Sequence, residues 1–452
     1  MKKMDLMPTD ENILQTLQDD MFRRNEKIGY FMQLLDSIEG SYTVALDGQW
    51  GSGKTFFIKQ SKLVLEAYNP NIEKIDTATR QIVKDKMGAY IGGKGLQPQY
   101  PIYYDAWIND NDKDPIVSLL YSITEAYHYF SERKIETWKG LTTAAMEIVK
   151  MVGGSDLEKF QKLFESESCM DDKKKSADLC IQINVFLEHL NLEKGNRLVL
   201  FIDELDRCKP TFAVKFLERI KHYFEHPNIT FVFSVNMAEL ANTIQNYYGE
   251  GFDAGRYLNR FFDYTFHLPA LLMDEYYRVQ GIDDGRLYYD KTIKTVIKTL
   301  HLELREVSRF LGICNVLREK FRNISNMRFA FLETETVMYC AFFVIPVLLG
   351  VQNAEPDKYN DFIKGKYPKP FVDVLMEVLE GKPVNPFNAI SGNSQPATVM
   401  KPFHAQHIYE ALFLQSNQGK EIDIEGLIIT DRLRTWVFNT ASGLSSFSNF
   451  NQ

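Results

Sequence analysis

The chain has 452 residues, too many for one hydrophobic core, and its 45% hydrophobic and 25% charged residues are the mix of an ordinary folded protein. Disorder is excluded as the default state, and two or three domains are expected. A formal net charge of -8 excludes a general basic footprint for nucleic acid and leaves room only for a local basic patch. The five cysteines are scattered and no CxxC pair occurs, which argues against a zinc site or a disulfide framework and fits reduced thiols in a cytoplasmic protein.

The opening MKKMDLMPTDENILQ carries lysines but no apolar stretch, so it does not read as a signal peptide. Residues 1–40 read as an N-terminal helical segment. Ile13, Leu14, Leu17, Met21 and Phe22 form one apolar stripe, and Phe31, Leu34, Leu35 and Ile38 form another. The pattern then changes: Tyr42–Leu46 is β-prone and meets glycines at once, and a helix is expected from near Lys54. Four more short apolar segments follow at wide spacing, Pro101–Ala106, Arg197–Ile202, Ile229–Val235 and Asp263–Leu268. Helical patterns separate them, as in Phe212–Phe224, which Pro210 introduces. Such alternation predicts an α/β domain over 41–270, with a mostly parallel sheet covered on both faces.

Residues 130–180 are rich in charge and read as a helical insertion outside that sheet. Residues 271–452 read as a C-terminal helical domain, with a loop at 381–402 and a flexible tail from Ser442. The longest apolar run, Val337–Val351, has 15 residues and contains Pro346. A spanning helix needs ~18 or more, so this run reads as a buried core helix and no membrane span is expected.

The chemistry concentrates at two places. Gly48-Gln49-Trp50-Gly51-Ser52-Gly53-Lys54-Thr55 matches GxxxxGK[ST] between a strand and a helix, with Phe56 following in the helix. Gly51 and Gly53 let the backbone curl so that successive N–H groups face phosphate oxygens, and the helix N-terminus adds its positive dipole end. Lys54 reaches the β and γ phosphates of ATP, and the Thr55 hydroxyl ligates Mg²⁺. In RLVLFIDELDR an apolar strand ends in Asp203 and Glu204. Asp203 would hold Mg²⁺ and Glu204 would polarise the attacking water. Each acid alone could instead cap the next helix, but with the glycine motif about 150 residues upstream the catalytic reading is favoured. Asp206 and Arg207 read either as a local ion pair or as a coupling of nucleotide state.

Asn236, at the end of the next strand, suits a γ-phosphate sensor or a plain turn cap. Arg256 and Arg260 precede the fifth strand and are candidates for an arginine finger across a subunit interface, against the simpler reading of solvated surface residues. Arg305 and Arg309 lie four apart on one helix face, able to reach nucleotide or to pair with Glu303 or Glu306. His404 and His407 share a face without an evident third ligand, so packing is favoured over metal. No guanine-selecting NKxD-like sequence occurs, so ATP is preferred to GTP.

Taken together, Ala45–Thr55 (ALDGQWGSGKT), Tyr103–Asp110 (YYDAWIND), Leu200–Pro210 (LFIDELDRCKP) and Tyr257–Pro269 (YLNRFFDYTFHLP) resemble the KAP family of P-loop NTPases in order and spacing, with a weaker match at Leu304–Leu311. The resemblance covers roughly residues 10–315. It implies a five-stranded sheet with the Ile229 strand between the Tyr42 and Arg197 strands, and ATP hydrolysis. It further implies a role in antiphage or plasmid-exclusion systems; a homo-oligomer or a partner protein from the same operon is expected from the placement of the arginines. Glu204 stands where the family has a second Asp, Asn236 where it often has Asp, and Arg260 where Lys is usual. Many members carry transmembrane helices within the domain; none is read here. A nucleotide-stabilised scaffold and a DNA-stimulated translocase are the competing functions, and nucleic acid as a partner stays open.

Overall fold

A computed structural model of the chain describes residues 7–130 except 74, 94 and 113, residues 197–268 except 225 and 226, and residues 273–282, 288–321, 333–387 and 398–445. The insertion expected at 130–180 lies outside the described residues, bar the first, and so does the middle of the 381–402 loop. The chain divides into two compact units, Met7–Met273 and one holding Asp274–Gln452. The division falls three residues beyond the expected 270.

In the first unit, helices α1 (Asp10–Gln18) and α2 (Asn25–Ser37) precede strand β1 (Tyr42–Asp47). Helices α3 (Lys54–Tyr68) and α4 (Thr77–Ile91) lead to β2 (Gln99–Asp105) and α5 (Pro115–Phe130). Strand β3 (Arg197–Asp203), helix α6 (Pro210–Tyr223), strand β4 (Ile229–Val235), helices α7 (Met237–Tyr248) and α8 (Ala254–Leu258), and strand β5 (Tyr264–His267) complete it. All the strand pairs are parallel, in the order β2-β3-β4-β1-β5. The Ile229 strand does lie between those of Tyr42 and Arg197.

The central strands β3 and β4 are buried along their whole length, which is why they read as unbroken apolar runs. Alternate residues feed two cores. Leu198, Leu200, Ile202, Phe231 and Phe233 pack with Ile116, Leu120, Phe212 and Phe216 from α5 and α6. Val199, Phe201, Val232, Val44 and Leu46 pack with Phe57, Val64 and Met87 from α3 and α4. Leu17, Ile28, Phe31 and Leu35 join this second core, so the N-terminal helices belong to the sheet domain and are not a separate segment.

The second unit begins with α9 (Asp274–Val279), α10 (Tyr288–Thr299) and α11 (Leu304–Phe321). The apolar run then forms one helix, α12 (Thr334–Ala354), of 21 residues, longer than the run itself. Pro346 does not interrupt it: a π turn at Cys340–Val344 opens the helix just before the ring, where an α turn would press the proline against a carbonyl one turn back. By length and composition alone α12 could cross a membrane, but 83% of its apolar window is buried, as expected of a core helix. Helices α13 (Pro356–Ile363), α14 (Lys369–Val378) and α15 (Pro402–Phe413) follow.

Two departures from the expected all-helical domain follow. Strands β6 (Ile422–Ile424) and β7 (Leu427–Ile429) form an antiparallel hairpin turned by Glu425 and Gly426, both at positive φ (53° and 82°). Short β-branched and apolar runs on either side of Glu-Gly, IDI before and LII after, are the sequence signal for it. Helix α16 (Asp431–Ser445) continues through the first four residues of the expected tail, whose remainder lies outside the described residues.

Candidate active site

Because the strands run one way, their carboxyl ends bring distant segments to one edge of the sheet. The loop after β1 is the glycine motif. Gly51 (φ 69°) and Gly53 (φ 79°) take left-handed conformations that a side chain would strain, and Gly53 is the N-cap of α3. No side chain caps that helix, so its first-turn N–H groups face the loop as an anion site. Gly48 is needed for room instead: a Cβ there would lie 2.8 Å from Ser52 Oγ and 3.4 Å from Lys54 Cγ. Gln49 and Trp50 form the outer part of the loop, and Phe56 is buried as the third residue of the helix.

Lys54 Nζ donates to the Gly48 and Gln49 carbonyls at 2.6 and 3.1 Å. Burial pulls its ammonium below the usual lysine range, while Asp206 and Asp203 hold it up. The Thr55 hydroxyl donates to Asp203 Oδ2 at 2.8 Å, joining the loop to the end of β3. Asp203 is 1% exposed, and burial pushes its carboxyl above the ordinary carboxylate range against the hydrogen bonds it accepts. One of those comes from Tyr103 on β2, whose hydroxyl donates at 3.1 Å. Burial and then the nearby Asp203 charge push the Tyr103 phenol far up, so it stays a donor.

Glu204 has φ 58°, left-handed backbone that a glutamate rarely adopts, and strain of this kind gathers at working sites. Its Oε1 lies 3.5 Å from Arg207. Asp206 and Arg207 thus engage different partners: Asp206 Oδ2 accepts from Trp50 Nε1 at 2.7 Å and from the Asn236 backbone N–H at 3.1 Å. The local Asp206–Arg207 pair is not what forms. Asn236 caps α7, its Oδ1 accepting from Ala238 and Glu239 N–H groups. Asp47, at the end of β1, accepts the Met237 N–H and contacts His267.

The loop, Asp203, Glu204 and Asn236 therefore meet at one edge. Among the described residues, Arg256 and Arg260 do not join them in hydrogen bonds or ion pairs. Arg256 and Arg260 are exposed near the end of α8 and make no ion pair with a described residue. Arg305 and Arg309 are exposed on α11, in the second unit, and pair with neither Glu303 nor Glu306. His404 accepts the Lys401 N–H at the start of α15, which is a cap and not a ligand role. Three site residues escaped the sequence. Tyr103 and Trp107 stood in a quoted segment without a role; a tyrosine two residues before a strand-end acid was the available signal. Arg24 donates to Ser52 O at 2.9 Å although burial pulls its guanidinium down to about 10; nothing in FRRNEK marks it.

The sheet order and this edge are those of P-loop proteins, and a family model described as the KAP family P-loop domain matches residues 24–321, about two thirds of the chain. The chain belongs to the KAP family. Comparison with curated proteins finds no match. KAP membership implies nucleotide binding and hydrolysis. The KAP match also runs past Met273 to Phe321, so α9, α10 and α11 belong to the family's common part although they fold with the second unit.

Proposed function

We propose that the chain is a magnesium-dependent ATPase whose cycle drives a conformational or oligomeric switch. The observation that carries this is the 2.8 Å bond between Thr55 and Asp203, 148 residues apart, beside Lys54 and Glu204. A hydroxyl and a carboxylate at one point form the hard-oxygen donor set that Mg²⁺ takes. A buried carboxylate with a raised pKa also gains from a cation, because the cation offsets the desolvation of its charge. Thr55 and Asp203 would hold the ion, and the bound ion would neutralise charge on the β and γ phosphate oxygens.

The protein's own groups supply the rest. Backbone N–H groups from Gly48 to Phe56 cradle the phosphates, and Lys54 swings from the Gly48 carbonyl to the γ-phosphate. Glu204 takes a proton from the water whose oxygen attacks the γ-phosphorus, as the bond to the ADP oxygen breaks. Asn236 is assigned to orienting that water through its amide nitrogen. Arg256 or Arg260 would act as a finger from a second copy, and Arg305 and Arg309 would contact nucleotide in a closed state. A bacterial antiphage or plasmid-exclusion role rests on the resemblance of the four motifs, ATP rather than GTP on the lack of an NKxD-like sequence, and a cytoplasmic setting on the scattered cysteines. Pairing with a second copy or a partner from the same operon rests on the placement of the arginines.

The test is phosphate release from ATP by the full chain beside Lys54→Ala and Glu204→Gln, with and without DNA. Lys54→Ala is expected to lose nucleotide binding. Glu204→Gln is expected to bind ATP normally and turn over ~10²–10⁴-fold more slowly. Wild-type turnover in Glu204→Gln removes the base, absence of turnover in the wild type with binding intact favours a scaffold, and turnover only with DNA favours a translocase.

A further inference from the structure

The Arg207 guanidinium lies near two indoles from different segments, its Cζ 5.7 Å from the Trp50 ring centre and 5.9 Å from that of Trp107. Trp50 belongs to the phosphate loop and Trp107 to the turn after β2, which is tied to β3 by the Ala106 N–H bond to Asp203 O at 2.9 Å. The turn Leu205–Arg207 is a 3-10 helix, in which residues three apart eclipse, and this sets Arg207 beside Glu204. Trp50 is held a second time through Asp206. Stability does not account for the arrangement. The Arg207–Glu204 pair is part exposed and such pairs add little, and Trp107 is 51% exposed and covers no core.

We propose that Arg207 is a positioning residue for Glu204, held in place by Trp50 and Trp107, so that the phosphate loop itself sets the orientation of the base. This rests on Glu204 being that base. A planar guanidinium can stack on indoles and still reach a carboxylate; a lysine ammonium cannot do both. The phosphate loop and the catalytic carboxylate are then linked by side chains as well as by the bound nucleotide.

Full-length wild type, Glu204→Gln, Arg207→Gln, Arg207→Lys, Trp107→Ala and the Arg207→Gln/Trp107→Ala double variant are compared. Phosphate release gives kcat and KM, and titration with a fluorescent ATP analogue gives affinity. Arg207→Gln is expected to lose ~10–100-fold in kcat, the cost of a misplaced catalytic group, with KM and affinity unchanged. Arg207→Lys is expected not to restore kcat. Trp107→Ala is expected to fall between, and the double variant to be no slower than Arg207→Gln, because Trp107 acts through Arg207. Wild-type kcat in Arg207→Gln, rescue by lysine, or a double variant showing the product of the two single losses overturns the proposal. If Arg207→Gln does not fold, seen as lost affinity, Trp107→Ala with wild-type kcat overturns it. Turnover retained in Glu204→Gln instead overturns the base assignment on which it rests, and the two failures are told apart.

Discussion

Replacing Asp203 with asparagine should make the nucleotide-free protein more stable while it disables the site. The residue is 1% exposed, and desolvation dominates its titration. Asparagine has the same shape and can fill every contact: Oδ1 accepts from the Glu204 N–H (3.1 Å in the native carboxylate), and the amide NH₂ that replaces Oδ2 donates to the Thr55 hydroxyl, which turns to accept. The Tyr103 hydroxyl must turn to accept, which a phenol can do. What is lost is the buried charge. The gain should be ~1–2 kcal/mol at neutral pH, in the range of single stabilising changes. That corresponds to about 2–8 °C in the melting midpoint for a domain of this size.

The pH dependence follows from the direction of the shift. Burial raises the Asp203 carboxyl in the folded chain above its unfolded value, so the folded state holds the proton more tightly. Below the unfolded value ionisation costs nothing; between the two values stability falls as pH rises; above the folded value the whole penalty is present. The advantage of Asp203→Asn should therefore vanish in acid and grow to a plateau as pH rises through the folded value. Thermal unfolding of both proteins without nucleotide, across that range, measures it. Repeating it with Mg-ATP should reverse the order, since a ligand at 100 times its Kd adds ~2.7 kcal/mol only to the protein that binds it. A mutant no more stable than wild type at neutral pH, or a difference that does not change with pH, would refute the reasoning.

Two further outcomes probe the scaffold. Arg80 closes the end of α3, donating to the carbonyls of Ala67, Asn69 and Ile72 at 2.7, 2.8 and 2.7 Å. Arg80→Ala should cost ~2–3 kcal/mol in chemical denaturation, and lysine should recover only part, having no planar fork to span them. In the second unit, a Cβ on Gly350 would lie 2.3 Å from Val296 Cγ1 and 3.0 Å from Leu300 Cδ1. Alanine there gains ~1 kcal/mol of helix propensity but overpacks a buried contact at ~1–3 kcal/mol. Gly350→Ala should lower the midpoint, and a raised midpoint would show that α10 and α12 can part at no cost.

Much of the site was legible because its chemistry is local. Gly51, Gly53, Lys54 and Thr55 follow one another in a loop whose backbone shape needs glycine, and an apolar run ending in Asp203-Glu204 announces a buried strand with acids at its mouth. Parallel strands then oblige such ends to share an edge, so the sheet and the glycine loop at its edge are legible in the sequence. The hairpin at Glu425-Gly426 is equally local, but its three-residue strands are short among long helical patterns. What the tertiary structure alone decided are the side-chain meetings between segments: Tyr103 on Asp203, Trp50 on Asp206, and Trp107 and Trp50 about Arg207. It also decided that the first two helices belong to the sheet domain and that α12 runs through Pro346. The physical reason is range. Backbone conformation answers to neighbouring residues, whereas the partner of a buried carboxylate or a caged guanidinium depends on which strand lies beside which, and residue spacing along the chain does not carry that information.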